Sequence, residues 1–594
     1  MGLAEESTVG ANLLKEREEC NILLRTDPHN PRRHLNRGWI HSRLGFPDLA
    51  AADAYRALTL LEAVADPDSS EYRARKKIDS AFSHETTGFA DSCSDASEAG
   101  SVATPDLSEE SSDYDDGVFE PVPYEEYEAE IGNTYILLVQ SLVQCGCMRD
   151  AYEFCVQGLD LPHGVDRTRR NEVLEKLLCM IKRSLVEKRP KYQTEGVSDA
   201  LDFDPARLDA QGVARRVVYP WNDHEPDRNS PDVIRFLNER LRSVAPKCEV
   251  RAVVLPSLHG SSDTTAVSIS RANERVSIQL GLFAKEDIAP GETLLRESSM
   301  LTATNRLHDD LCDACNGRLP GLGTSTPPVA CEGCADTIFC SQKCHDIAQK
   351  SYHRAVCGQE GLETIGKDVQ DPKDKADYLY LLLLGRAIAM AVTQAVHPLD
   401  LPEVKYIWGD FHDLGDDGSP YPNDITQLPS HPPSATLPFS FQLNVLQPMR
   451  MLEEMGIDPF ASLHLFDTWV LNTLYAKFRG TASGRLSTWD GGPEVCAVHP
   501  LWCLANHSCD PNVRWEWGGE ITFVARSAEE RVEWGPEQER ERRRRTAGLG
   551  IKRDEEILNH YCDLSLVVKE RREWAMGALG GACLCARCEW EAAH

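Results

Sequence analysis

Cys312-x2-Cys315, Cys331-x2-Cys334, Cys340-x3-Cys344 and His353-x3-Cys357 crowd eight soft or borderline donors into residues 312–357. Zinc takes four such donors in a tetrahedron, and pairs two or three residues apart bite one ion without straining the backbone. Eight donors make two closed sites with no position left for a catalytic water. The role is therefore structural, because metal binding supplies folding energy that so small a module lacks. Cys583-x-Cys585-x2-Cys588 offers three more thiolates and lacks a fourth, which Cys509 can supply. Three zinc ions per chain are expected.

A second constellation carries no obvious metal set. It comprises Asn506-His507-Ser508-Cys509-Asp510-Pro511-Asn512 and Glu555-Glu556-Ile557-Leu558-Asn559-His560-Tyr561-Cys562-Asp563. Short β-branched runs must position it: Ala266-Val-Ser-Ile, Val276-Ser-Ile and Gly281-Leu-Phe-Ala, with a Pro290-Gly291 turn before Thr293-Leu-Leu. The same texture returns at Val513–Trp517, Ile521–Ala525 and Ile557–Leu558. Between these blocks, 360–480 reads as mostly helical. Strands, a helical insert and strands again predict one β-rich domain split by insertions. Arg526 to Lys552, with Glu539-Arg-Glu-Arg-Arg-Arg-Arg-Thr546, reads as a solvated insertion or, alternatively, a nuclear-import signal.

The N-terminal third is helical in pattern, with Asp27-Pro28 as a start signal. Counting from Gly45, Ala50, Leu58 and Leu60 fall at the offsets that Ala151, Leu159 and Leu161 take from Gly146. That shared register suggests two copies of one helix–turn–helix unit, similar to tetratricopeptide (TPR) repeats; helices of similar period can also agree by chance. Between the copies, 65–122 is rich in Ser, Asp and Glu and is expected to be a disordered acidic insertion. Residues 201–265 read as a connector with one helix, Pro231 to Val244.

The chain has 594 residues with 63 Lys and Arg against 94 Asp and Glu, a net charge of −31. Such a surface repels polyphosphate, which opposes direct nucleic-acid binding and favours a basic protein partner. The most apolar stretch, Tyr378 to Val396, is interrupted by Gly385, Arg386 and Gln394, so a buried helix rather than a membrane span is expected. The N-terminus lacks the build of a signal peptide. With 21 cysteines in spaced clusters, metal binding in a reducing compartment is expected, cytoplasmic or nuclear.

The order of the eight ligands in 312–357 resembles the MYND zinc finger. That resemblance implies one site from Cys312, Cys315, Cys340 and Cys344 and another from Cys331, Cys334, His353 and Cys357, with Pro-containing peptides as partners. The second constellation, with its cysteine-rich tail and Gly281-Leu-Phe-Ala-Lys-Glu-Asp-Ile-Ala-Pro-Gly291-Glu, resembles the SET-domain protein-lysine methyltransferases. A MYND finger inside a split SET domain resembles the SMYD-type group, and the N-terminal repeats a fungal-type TPR–SET–MYND arrangement. The resemblance implies a multidomain α+β chain: a TPR-like region at 10–200, SET parts at 266–311 and 491–565, the finger at 312–357, a helical insertion at 358–490 and a post-SET zinc region at 566–594.

It also implies S-adenosylmethionine as cofactor, held at Gly281, Leu282, Asn506 and His507, with Tyr561 as the catalytic residue and His560 in a packing role. The substrate would be a protein lysine, in a basic segment suited to an acidic groove. Two departures stand out. A glycine common in the family is Gln279 here, and an aromatic that stacks on adenine is Gly581, leaving Trp574 as a candidate replacement. Asn506, His507 and Tyr561 favour an enzyme; Gln279 and Gly581 favour a lapsed adaptor that recruits partners.

Overall fold

The computed structural model describes residues 2–68, 70–78, 119–162, 165–187, 203–256, 276–305, 310–321, 323–334, 337–365, 372–409, 411, 436–486, 492–579 and 581–594. The chain opens with helices α1 (Gly2–Thr26), α2 (Pro31–Arg43) and α3 (Pro47–Ala65), a two-stranded ladder of β1 (Arg75–Lys77) and β2 (Phe119–Pro121), and helices α4 (Tyr124–Cys145), α5 (Met148–Asp160) and α6 (Arg167–Glu187). Neighbouring helices pack pairwise around Leu58, Leu61, Leu137, Leu138 and Leu142. Gly45 and Gly146, the two glycines in register, both end a helix in the left-handed region, at φ 76° and 88°. A glycine bears that conformation without a Cβ clash.

Two expectations for this arm need correcting. Helix α2 is capped by Asn30, whose side chain accepts from the Arg32 amide, rather than starting at Asp27-Pro28. Asp27 instead holds Asn30 Nδ2 at 2.7 Å and the Lys77 amide at 3.2 Å. The acidic stretch is also shorter than 65–122. Its two flanks pair in register from Arg75↔Pro121 to Lys77↔Phe119, and Tyr72 packs edge-on against Phe460 at 4.8 Å. Residues 79–118 lie outside the described residues.

Strand β3 (Gln211–Arg215) and helix α7 (Pro231–Val244) follow, then β4 (Cys248–Pro256) and β5 (Val276–Ala284). Strands β4 and β5 pair antiparallel along their whole length, Cys248↔Ala284 to Pro256↔Val276. The β-rich domain therefore begins at Cys248, inside the expected connector; the run at Ala266 lies outside the described residues. Next come β6 (Thr293–Glu297), β7 (Thr302–Thr304), the small pair β8 (Val329–Ala330) and β9 (Ile338–Phe339), and helices α8 (Gln342–Ser351) and α9 (Pro372–Gln394). Helix α9 is the apolar stretch seen in the sequence. Leu381, Leu383, Leu384, Ala387 and Ile388 are fully buried, so it is a core helix. No described helix is long and apolar enough to cross a membrane.

Strand β10 (Thr436–Ser440), which pairs with β3, leads into α10 (Gln447–Glu454), α11 (Leu463–Phe466) and α12 (Thr468–Thr481). The remainder is β11 (Ser483–Leu486), β12 (Pro493–Ala497), β13 (Val513–Trp517), β14 (Ile521–Ala525), α13 (Glu537–Ala547), α14 (Val568–Leu579) and α15 (Ala586–Ala593). Two three-stranded sheets, β11-β12-β7 and β13-β14-β6, join segments from either side of the insertions, as expected of a split domain. Ile557–Leu558 is no strand; only single bridges, Phe283↔Glu556 and His507↔Asn559, mark that segment. The arginine-rich insertion folds as α13, with most of its side chains exposed.

A buried ion cluster fastens the arm to the insertion. Arg37 reaches Asp53 at 2.6 Å and Asp467 at 3.0 Å, while Asp467 accepts from Thr468 N as the N-cap of α12. These charges are one to six per cent exposed. Removing one partner would leave an uncompensated buried ion, so the cluster fixes where the arm sits.

Candidate active site and zinc centres

The two finger quartets implied by the resemblance, and the tail quartet completed by Cys509, each come together. Cys312/Cys315/Cys340/Cys344, Cys331/Cys334/His353/Cys357 and Cys509/Cys583/Cys585/Cys588 each bring four ligand atoms within 4.8 Å of one another. Tetrahedral zinc with bonds of about 2.3 Å separates its sulfurs by about 3.8 Å. Cys315–Cys340 and Cys331–Cys357 lie at 3.8 Å, and Cys509–Cys588 at 3.4 Å. The donor chemistry and spacing fit three structural zinc ions. At the third quartet, Arg571 Nη2 lies 3.7 Å from Cys588 Sγ and Arg587 Nη1 donates to the Cys509 carbonyl at 2.9 Å. These buried guanidinium groups suit the net negative charge of four thiolates around a dication.

The second constellation converges on one crossing. Residues 505–508 run beside 559–561: Asn559 N donates to the Asn506 carbonyl at 2.8 Å, and Ser508 N to the Asn559 carbonyl at 2.8 Å. The Tyr561 hydroxyl donates to the Ala505 carbonyl at 2.9 Å, which fixes its oxygen. Burial pushes the Tyr561 phenol well above its usual range, so it stays protonated. The Tyr561 amide donates to His507 Nδ1 at 3.0 Å, so the His507 proton sits on Nε2, 3.3 Å from Cys509 Sγ. His507 thus links the third zinc quartet to the Tyr561 backbone. Burial lowers its pKa to about 4, keeping it neutral.

Two cavities meet at this crossing. One, of about 290 Å³, is lined by Gln279, Leu280, Asn506, His507, Glu556, Leu558, Arg228, Trp408 and Leu584. The other, a groove of about 980 Å³, is lined by Tyr380, Ser483, Trp502, Trp515, His560 and Trp574. Gly480, Thr481, Cys503, Tyr561 and Ala578 border both. Tyr561 therefore stands between a small amphiphilic chamber and a long groove.

The smaller chamber departs from expectation in its details. Gly281 and Leu282 do not line it. Leu282 is fully buried in the domain core, and the wall comes from Ser277, Gln279 and Leu280 upstream. Gly281 is required for another reason: a Cβ there would come within 2.8 Å of Glu556 Oε1 and 3.1 Å of Asn506 Nδ2. It leaves room for Asn506 to donate to Glu556 at 2.8 Å and to the Leu280 carbonyl at 3.2 Å. Trp574 lines the groove rather than the chamber and is 58% exposed, whereas Trp408 is an indole on the chamber wall.

Sequence reasoning missed Arg228 and Trp408, and quoted Glu556 within the second constellation without giving it a role. Arg228 donates from Nε to the Tyr406 carbonyl at 3.0 Å and sits 5.1 Å over the Trp408 ring. Burial lowers its pKa. Burial likewise raises that of Glu556, against the pull of Asn506. One chamber thus holds a guanidinium and a carboxylate that both meet neutral protein groups, among apolar walls. A ligand carrying both charges on an apolar frame answers this set. His560 stacks on Trp515 at 5.9 Å, in keeping with its expected packing role.

Among the described residues the groove's charged walls are Arg479, Arg485 and Arg526 against Asp563, which do not supply the expected acidity. Net charge is summed over the whole chain and does not describe one local wall.

Residues 279–562, just under half of the chain, match the family model of the SET domain. As a family, SET domains are protein-lysine methyltransferases. No curated protein matches the chain.

Proposed function

We propose that the chain is an S-adenosylmethionine-dependent protein-lysine N-methyltransferase. The observation that carries this reading is the meeting of chamber and groove at Tyr561. Methyl transfer needs donor and amine brought in line from opposite sides, and alignment supplies most of the catalysis. The bound cofactor would supply a sulfonium methyl as electrophile. Glu556 and Arg228 would take its ammonium and carboxylate ends, while Leu280, Leu558, Leu584 and Trp408 would cover its apolar surface. The Tyr561 oxygen, fixed by the Ala505 carbonyl, would orient the incoming neutral amine and favour charge developing in the transition state.

In this reading the finger at 312–357 is of the MYND type with a Pro-containing peptide as partner, and the N-terminal helices form a TPR-like partner-binding arm. Work in the cytoplasm or nucleus suits the reduced thiolates of the zinc sites. The test is calorimetric. Wild type should bind one S-adenosylmethionine, and Glu556→Gln and Arg228→Met should each weaken it about tenfold or more, the loss expected for a charge-assisted contact. No binding to wild type would leave a lapsed adaptor as the reading.

A further inference from the structure

A third cavity, of about 280 Å³, lies where α1, residues 221–224, residue 397 and residues 461–469 converge. It is separate from the reaction site. Arg37 and Asp467 of the ion cluster line it, and the cluster balances itself: Arg37 and Arg56 face Asp53 and Asp467. His34 adds no charge, since burial lowers its pKa to about 3, and His41 is neutral because its Nε2 accepts from Arg17 while Nδ1 faces Asp53. Arg17 is a further cation in the same place, only 2% exposed. Its Nε donates to His41 Nε2 at 3.0 Å and its guanidinium lies 3.6 Å over the Trp221 ring, but among the described residues it forms no ion pair with a carboxylate. Glu18 is exposed at the mouth of the cavity, as is Asp223 at 91%.

Three buried nitrogens on this cavity lack a hydrogen-bond partner among the described residues: Arg17 Nη2, Trp221 Nε1 and His397 Nε2. All three are donors. His397 Nδ1 accepts from the Leu399 amide at 3.2 Å, so its proton is on Nε2. The imidazole is held there by stacking on His224 at 3.8 Å, and His224 is itself engaged with Asp400 at 2.8 Å. Water could accept from such donors, but it cannot offset the Arg17 charge. Three donor N–H groups around one cavity, one of them on a guanidinium that forms no ion pair among the described residues, suit a small anion with several acceptor oxygens.

We infer that this cavity binds a small oxyanion, a phosphate or carboxylate group, clasped by Arg17, Trp221 and His397. The occupant would fasten α1 to the segment that begins α12. The far end of that helix, Gly480 and Thr481, borders both reaction cavities.

The test uses the full chain in phosphate-free buffer at matched ionic strength, with inorganic phosphate and malonate as probes. Calorimetry and thermal unfolding should show saturable binding at one site, and the tighter probe identifies the source as phosphate or carboxylate. Arg17→Met should abolish the response. Trp221→Phe keeps the ring against Arg17 and removes one donor, so it should weaken binding about fivefold; this holds the inference to account even if Arg17→Met does not fold. No saturable binding of either probe to wild type, or unchanged binding in both variants, would overturn it. So would a fourth zinc by elemental analysis, since His224, His397 and Asp400 would then be metal ligands.

Discussion

The finger quartets and the tail quartet use the same chemistry at different distances from the reaction. In the finger, each site closes within residues 312–357, and its cysteines pack with the core of the helical insertion. In the tail, Cys509 belongs to the crossing segment while Cys583, Cys585 and Cys588 lie beyond α14. One imidazole, His507, spans from Cys509 to the Tyr561 amide. Cys583 and Cys585 also form part of the chamber wall. A closed zinc site can thus be remote from catalysis or part of its frame, and ligand type alone does not say which.

The sharpest break of that comparison is Cys585→Ser against Cys331→Ser. Each should lose one zinc by elemental analysis. Cys585→Ser should lose cofactor binding and nearly all methyl transfer, whereas Cys331→Ser should retain cofactor binding within a few-fold. Equal loss in both would erase the distinction.

Glu297 probes a non-metal tether to the same crossing. Its carboxyl accepts from the Leu501 amide at 3.0 Å and the Trp502 amide at 2.7 Å. Burial raises its pKa to about 7 despite those bonds. An unfolded glutamate releases its proton near 4.5, so between these values the folded chain binds more protons and stability falls as pH rises, levelling above 7. Glu297→Gln should remove up to about 3 kcal/mol of that fall, measured by denaturant unfolding at pH 5 and pH 8. The smallest effect is expected from deleting 79–118 and joining the β1–β2 ladder by a short Gly-Ser turn. Methyl transfer should be unchanged and the thermal transition should stay within about two degrees; a larger drop would show that the stretch packs on the chain.

Metal ligands were legible in the sequence because a tetrahedral ion imposes short, chemically distinctive spacings, and all three quartets form. Helix α7 was legible to its ends because Ser230 caps it and Pro231 starts it. The chamber was less so. Arg228 and Trp408 come from irregular segments with no periodicity, and only the fold brings them to Glu556. Strand β4 escaped notice because Glu249 and Arg251 interrupt its apolar run. The charge of the groove could not be inferred from a total summed over the whole chain.

The central claim is that Tyr561 acts where cofactor and lysine meet. Tyr561→Phe removes one oxygen and keeps the ring packed. Single-turnover methyl transfer from labelled S-adenosylmethionine to an accepted protein substrate should fall about a hundredfold or more, while calorimetric cofactor affinity stays within a few-fold. Transfer at the wild-type rate by Tyr561→Phe would contradict the account.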